Sequence, residues 1–177
     1  MEAKVTRERL ITFLLETPMF EKLDPSEIME IIHIVEVVRY QEGEIVFSEG
    51  DPGDAWFVLY KGAVDVLKHG ATGEKKITGL EPQACFGEIS ILDGLPRSAT
   101  IRVTENSIVF RVPRDAFTEL VESDHLVAYK LLHHMAILLA ERQRNTTLRL
   151  SELLNATEIM EVHNGIMSIV GESSVRE

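Results

Sequence analysis

The chain has 177 residues, with 18 Lys plus Arg against 29 Asp plus Glu, a formal charge of −11. That acidity argues against an autonomous DNA or RNA binder, which needs a basic face toward phosphate, and against docking on an anionic membrane surface. Apolar residues at 45% are enough for a packed core, and the length suits one domain with an appendage or two very small domains.

Cys85 is the only cysteine, so an intramolecular disulfide framework and a four-cysteine zinc or iron–sulfur site are excluded. A single thiol fits a reducing cytoplasm. The first ten residues, MEAKVTRERL, are mixed in charge and contain no signal-like apolar stretch. The longest fully apolar runs, Ala55–Tyr60 and Met135–Ala140, have six residues, too few for a bilayer span. The expectation is a soluble cytoplasmic protein with no membrane and no nucleic-acid partner.

Residues 1–35 read as a helical segment. Thr6 is placed to cap a run with Leu10, Phe13 and Leu14 on one face, and Thr17-Pro18 breaks it. Asp24-Pro25-Ser26-Glu27 reads as a second start, with Ile28, Ile31, Ile32 and Val35 at helical spacing.

Residues 36–122 change period. Short β-rich runs are predicted at Glu36–Tyr40, Glu44–Phe47, Ala55–Tyr60, Ala63–Leu67, Lys75–Leu80, Thr100–Val103 and Ser107–Val112. Turn signals separate most of them, including Lys61-Gly62 and Glu105-Asn106. Such a series, with no room for crossover helices, reads as an antiparallel sandwich or jelly-roll barrel. Residues 123–164 return to helix: Ser123 or Asp124 is a candidate cap and Gly165 a candidate terminator. Residues 165–177 are expected to be a flexible tail.

The stretch with the most chemistry runs from Cys85 to Thr100: Cys-Phe-Gly-Glu-Ile-Ser-Ile-Leu-Asp-Gly-Leu-Pro-Arg-Ser-Ala-Thr. Gly87 allows close backbone approach ahead of a short helix at Glu88–Leu92, whose first N–H groups favour an anion. Arg97 offers a planar fork for two phosphate oxygens, and Ser98 adds a hydroxyl. Glu88 is out of place in an anion site unless it accepts hydrogen bonds from sugar hydroxyls. The set describes a sugar phosphate or a nucleotide carrying a single phosphate charge. The plainer readings are that Arg97 pairs at the surface with Glu88 or Asp93, that Gly94 is an ordinary turn glycine, and that Phe47, Trp56, Phe57 and Phe86 are core rather than a base-stacking platform.

Taken in order, these residues resemble the phosphate-binding cassette of the cyclic-nucleotide-binding domain family, the fold of the catabolite activator protein and of protein kinase A regulatory subunits. Supporting matches are Gly43-Glu44-Ile45-Val46-Phe47, Glu49-Gly50-Asp51, Asp54-Ala55-Trp56-Phe57-Val58-Leu59 and Gly62-Ala63-Val64, and the resemblance covers about residues 15–150. It implies a mainly β domain with flanking helices: an antiparallel β-roll (jelly roll), N-terminal helices and a long C-terminal helix, with the cassette at residues 85–100. It implies that Arg97 holds the exocyclic phosphate oxygens and Glu88 the ribose 2′-OH. Backbone groups of the Phe86, Gly87, Ile89, Ser90 and Ala99 segment line the ligand, and Ser98 contacts phosphate or base. Ser98 also bears on the base. Relatives selective for cGMP tend to carry Thr there and kinase subunits Ala, whereas the bacterial cAMP-binding activator carries Ser; cAMP is therefore favoured over cGMP.

Read as heptads, residues 129–160 carry Leu132, Leu139, Thr146, Leu153 and Met160 at d, with Tyr129, Ala136, Gln143, Leu150 and Thr157 at a. This mostly apolar seam with a polar break suits a homodimer through the helix. The resemblance implies that Thr146 or Thr147, with Arg142 nearby, contacts the adenine across the subunits. The plainer reading packs residues 131–140 on the chain's own barrel. Only twelve residues follow Gly165, too few for a winged helix-turn-helix. The expectation is therefore a sensor without a DNA-binding output, acting on an unidentified protein effector.

An enzyme of the metal-dependent cupin type is disfavoured, because the six histidines form no His-x-His ligand pattern. A redox or haem sensor lacks ligands, with one cysteine and no histidine between His69 and His125. No cofactor is expected beyond the nucleotide ligand. The alternative function is a ligand-free interaction and dimerisation module that retains the fold.

Overall fold

In a computed structural model of the chain, the backbone is described for residues 5–123 and 125–173, and side chains up to residue 154 except at 124. The chain divides into two units, Met1–Met135 and Ala136–Glu177.

The first unit opens with α1 (Arg7–Glu16), capped by the Thr6 hydroxyl accepting the Arg9 N–H at 3.4 Å. Thr17 ends it, and Pro18–Phe20 form a single 3-10 turn. In α2 (Pro25–Ile34) the expected start is a reciprocal cap. Asp24 accepts the Ser26 and Glu27 N–H groups at 2.8 and 3.0 Å, and Glu27 accepts the Asp24 N–H at 2.9 Å. Leu14, Phe20, Ile28 and Ile31 are fully buried beneath these helices.

Six strands follow among the described residues: β1 (Glu36–Tyr40), β2 (Ile45–Phe47), β3 (Ala55–Gly70), β4 (Gly73–Leu80), β5 (Cys85–Phe86) and β6 (Thr100–Pro113). All pairs are antiparallel, in the order β1-β6-β3-β4, with β2 also on β6 and β5 on β3. This is the expected β-roll, with one correction. The runs separated at Lys61-Gly62 are one strand, β3, and those separated at Glu105-Asn106 are one strand, β6. Their mutual pairing shifts register three times between Leu59 and Val64, so bulges absorb the turn signals without ending the ladder. The core is built from Ala55, Phe57, Leu59, Val64, Phe86, Ile101, Val103 and Val109.

Between β5 and β6 lies α3 (Ile89–Asp93), where a short helix is expected, closed by Gly94 in the left-handed region at φ +73°. After β6 come α4 (Arg114–Glu122) and α5 (Leu126–Ser173). The start of α5 packs on the first unit through Val127, Ala128, Leu131, His134 and Met135. Lys130 meets Glu27 at 2.5 Å, His125 meets Glu30 at 2.8 Å, and His134 Nδ1 lies 3.0 Å from the Met19 carbonyl.

The second unit is the remainder of α5. Its helical backbone continues through Gly165 to Ser173 instead of stopping near Asn164; one glycine weakens a helix by about 1 kcal/mol and need not end it. Ile137, Leu148, Leu150, Leu153 and Leu154 are exposed. Thr157 and Met160 lie outside the described side chains, and Asp124 outside the described residues. No helix among the described residues is long and apolar enough to cross a membrane.

Candidate functional site

Strand pairing brings the cassette together. Phe86 lies opposite Phe57 and Cys85 opposite Val58, which puts Gly87 at the edge of the aromatic core. Phe57 and Phe86 stack with centroids 5.2 Å apart, and Phe47 lies 5.7 Å from Phe57. Trp56, Phe57 and Phe86 are buried, as expected of core aromatics. The other end of the cassette is clamped to the loop before β3. Arg97 donates its backbone N–H to Asp51 O at 2.8 Å, and its own carbonyl accepts the Gly50 N–H at 2.9 Å.

The Arg97 side chain turns inward. Its guanidinium lies over the Phe47 ring, 4.1 Å from the centroid, and 5.7 Å from that of Phe57. Nη1 donates to the Gly87 carbonyl at 2.9 Å and to Ser90 Oγ at 3.0 Å, and Nη2 donates to Asp54 Oδ1 at 2.9 Å. These contacts use three of the five N–H donors of a guanidinium. The Nε–H is buried with no partner in the structure.

Gly87 is necessary to this arrangement. Its φ is +78°, and a Cβ there would sit 2.8 Å from Arg97 Nη1 and 3.3 Å from both Phe47 and Phe57. Ser90 is buried on the first turn of α3, and Glu88, just before that helix, is buried as well. The Glu88 carbonyl accepts the Ile91 and Leu92 N–H groups, each at 3.1 Å. Ile89 and Ser98 are exposed and Ala99 is half-buried. The Ser98 carbonyl accepts a hydrogen bond from Lys68 Nζ at 2.8 Å, and that ammonium also pairs with Glu49 at 2.6 Å.

A buried guanidinium on an aromatic face, with one edge committed to the protein and a donor left over, is suited to an oxyanion. Among the described residues no group of three His, Cys, Asp or Glu is placed to hold a metal ion.

Residues 37–124 match the family model of the cyclic nucleotide-binding domain. These residues belong to that family. The chain is 34% identical over 122 residues to the cAMP-dependent protein kinase regulatory subunit of Aspergillus niger, a match covering 68% of this chain and 29% of that one. The chain thus spans under a third of the regulatory subunits it matches. Among solved structures it is similar to the Thermus thermophilus catabolite activator protein, with 29% identity, a TM-score of 0.68, and coverage of 77% of this chain and 62% of that one. It is also similar to a cyclic nucleotide-binding domain from Methylobacillus flagellatus, with 26% identity, a TM-score of 0.73, and coverage of 78% and 81%. Of these three, one is a regulatory subunit and one an activator protein.

In this cyclic nucleotide-binding domain the structure corrects the surface-pair reading of Arg97. Arg97 is buried rather than at the surface, and it pairs with the carboxylate of Asp54. Asp54 also accepts Arg111 at 2.7 Å, and Arg111 reaches Glu36 at 2.7 Å. Burial pushes the Asp54 carboxyl up, but the hydrogen bond and charge of Arg111, with the bond from Arg97, hold it below the usual carboxylate range. Burial lowers the Arg97 guanidinium, and the charges of Arg114 and Arg111 add to that against the opposing pull of Asp54.

Sequence reasoning missed Asp54 and Arg114 as members of this cluster. Asp54 lay within a turn signal, forty-three residues from Arg97, and the two meet through the β3–β5 pairing and the backbone bonds of Arg97 to Gly50 and Asp51. The remaining candidates, Arg142, Thr146 and Thr147, are exposed residues of the second unit. There the Thr146 hydroxyl donates to the Arg142 carbonyl at 2.8 Å and the Thr147 hydroxyl to the Gln143 carbonyl at 3.0 Å, a habit of helical threonines.

Proposed function

We propose that this domain binds a cyclic nucleotide, cAMP in preference to cGMP, and acts as the sensor of a regulatory protein. The observation that carries the reading is Arg97: a buried guanidinium fixed on an aromatic ring, with its Nε–H buried and unpartnered. A singly charged phosphodiester supplies two oxygens for such an edge, and a charge-assisted pair in a partly desolvated site is strong. Glu88 takes the ribose 2′-OH. The backbone of Gly87, Ile89, Ser90 and Ala99 with the Ser98 hydroxyl completes the phosphate end, and Phe86 supports it from the core. The cAMP preference rests on the serine at position 98.

The base is closed by the long helix. Arg142, Thr146 and Thr147 contact it from a second copy, in a homodimer formed through the a and d seam of α5. Binding acts by population shift: the nucleotide favours the state in which cassette and helix close on it, by no more than its differential affinity for the two states. The output is passed to a protein effector in the cytoplasm, with no catalytic step.

A second reading is favoured by the Asp54–Arg97 pair, which gives Arg97 a carboxylate partner within the protein. On that reading the domain is a ligand-free interaction module. Calorimetric titration with cAMP and with cGMP, alongside Arg97→Ala, separates the two. Saturable binding that weakens on the order of 10²-fold in the variant supports the sensor. Absence of heat and of any Tm shift at millimolar nucleotide supports the module.

A further inference from the structure

We infer that Arg114, at the first residue of α4 and outside the cassette, is a positioning residue for the phosphate end of the site. It holds Ser90 and, through Ser90, the Arg97 guanidinium. The ligand in this inference rests on the nucleotide reading above; the geometry does not.

Helix α3 has five residues, so the Ser90 carbonyl has no N–H four residues on within the helix. Arg114 Nη2 donates to that carbonyl. Ser90 is thus held at both ends, with its carbonyl on Arg114 and its hydroxyl on Arg97 Nη1 at 3.0 Å. Arg114 is itself anchored: its backbone N–H donates to the Asp54 carbonyl at 2.8 Å, in the residue whose carboxylate holds the other side of Arg97.

Gly53 makes the junction possible. A Cβ there would stand 2.3 Å from Ser90 Oγ and 3.3 Å from Arg114 Nη2. The Gly53-Asp54 turn, α3 and α4 therefore converge on one point, and Arg114 is the side chain that ties them. Packing alone does not call for an arginine at this place. The charge of Arg114 works against that of Arg97, and its own Nε–H is buried without a partner. The second guanidinium is accounted for if its task is to aim the first at an anion.

The test uses the full chain with Arg114→Gln, Ser90→Ala and their combination, and Arg114→Lys as the charge-retaining variant. One readout needs no ligand: the Arg97 Nε–H resonance in a nitrogen–proton correlation spectrum, assigned by its loss in Arg97→Ala. Arg114→Gln is expected to shift that resonance and to speed amide exchange over residues 89–93. Arg114→Lys should move both less, and it decides the matter if the Gln variant does not fold. The second readout is cAMP titration. Arg114→Gln should weaken binding about tenfold in the wild-type background and less than about twofold in Ser90→Ala, because coupled residues are not additive. An unmoved resonance with unchanged exchange overturns the inference, as do losses that simply add. If the wild-type protein takes up no cyclic nucleotide, the ligand reading falls, and the spectrum and exchange of the unliganded variants still decide whether Arg114 positions Arg97.

Discussion

Arg97 and Asp54 form an ion pair at 2.9 Å whose two ends lie in different media: the arginine side chain is 1% exposed and the aspartate 65%. The guanidinium is desolvated and depends on its partners. The carboxylate is mostly hydrated and also serves Arg111. The guanidinium is thereby fixed in one place by protein partners, with its buried Nε–H left over.

Asp54→Asn should expose that dependence. It leaves a shorthanded buried guanidinium, and breaking a fully buried pair costs about 3–5 kcal/mol. Here the exposed carboxylate is screened, so the expected loss is nearer about 1–2 kcal/mol. That corresponds to a fall in Tm of roughly 2–8 °C. Cyclic nucleotide, if bound as proposed, should restore more of the Tm in Asp54→Asn than in wild type, because the phosphate replaces the missing charge. Thermal melts with and without cAMP measure both effects.

The same carboxylate sets a pH window. Asp54 is held below its ordinary value, so its contribution to stability is full above the unfolded-state value near 3.8 and is lost as pH falls through the lower folded-state value. Urea melts between pH 6 and 3 should show stability falling at the acid end, and a shallower fall in Asp54→Asn. An identical acid slope in the two proteins would show that other carboxylates carry the dependence.

Much of this fold was legible because its signals are local. Thr6 and Asp24 cap helices as their positions suggest, and α3 begins one residue after Glu88. The strands at positions 61 and 105 were misread for a physical reason: Lys61-Gly62 and Glu105-Asn106 are good turn formers, and a bulge uses the same residues without reversing the chain. At the site, Gly87 and Arg97 could be picked out by residue type and spacing. The surroundings of Arg97 could not: Asp54 lies in the loop before β3, Phe47 on β2 and Arg114 on α4, and only tertiary structure assembles them.

Phe47→Leu asks how much the aromatic face contributes. Leucine keeps the apolar character of the site and removes the ring beneath the guanidinium. A cation–π contact is worth about 0.5–2 kcal/mol depending on solvation, so nucleotide affinity should fall by roughly 2–30-fold. Phe47→Tyr retains the ring and should bind like wild type. Titration of both variants makes the comparison, and equal losses in the two would assign the effect to packing instead.

Gly87→Ala combines two penalties. An alanine at φ +78° costs about 1–2 kcal/mol, and its methyl would meet Arg97 Nη1 at 2.8 Å. The guanidinium must then shift away from the Gly87 carbonyl. The expected result is a modest fall in Tm with a disproportionate loss of nucleotide binding, at least about tenfold. Gly94→Ala is the control: it too has positive φ, but nothing lies within 4 Å of its added Cβ, so it should lose stability with little effect on binding.

The helix seam gives the last prediction. Leu150 and Leu153 are exposed in the chain on its own, at 56% and 66%, on a stretch of α5 where Thr146 is also exposed. Apolar residues spaced at a and d over several turns are stable in water when a partner helix covers them. If the proposed homodimer forms through this seam, Leu150→Glu with Leu153→Glu places like charges at facing core positions and should yield a monomer in sedimentation analysis. The β-roll, which ends before this stretch, should keep its Tm within about 2 °C, since substitutions at exposed sites of the isolated chain are worth about 0.5 kcal/mol or less. If α5 also closes the base across subunits, the same variant should weaken cAMP binding while Arg97→Ala leaves the dimer intact. A monomeric wild-type protein would remove both the seam and the trans contacts of Arg142, Thr146 and Thr147, and would leave the cassette to be judged on its own.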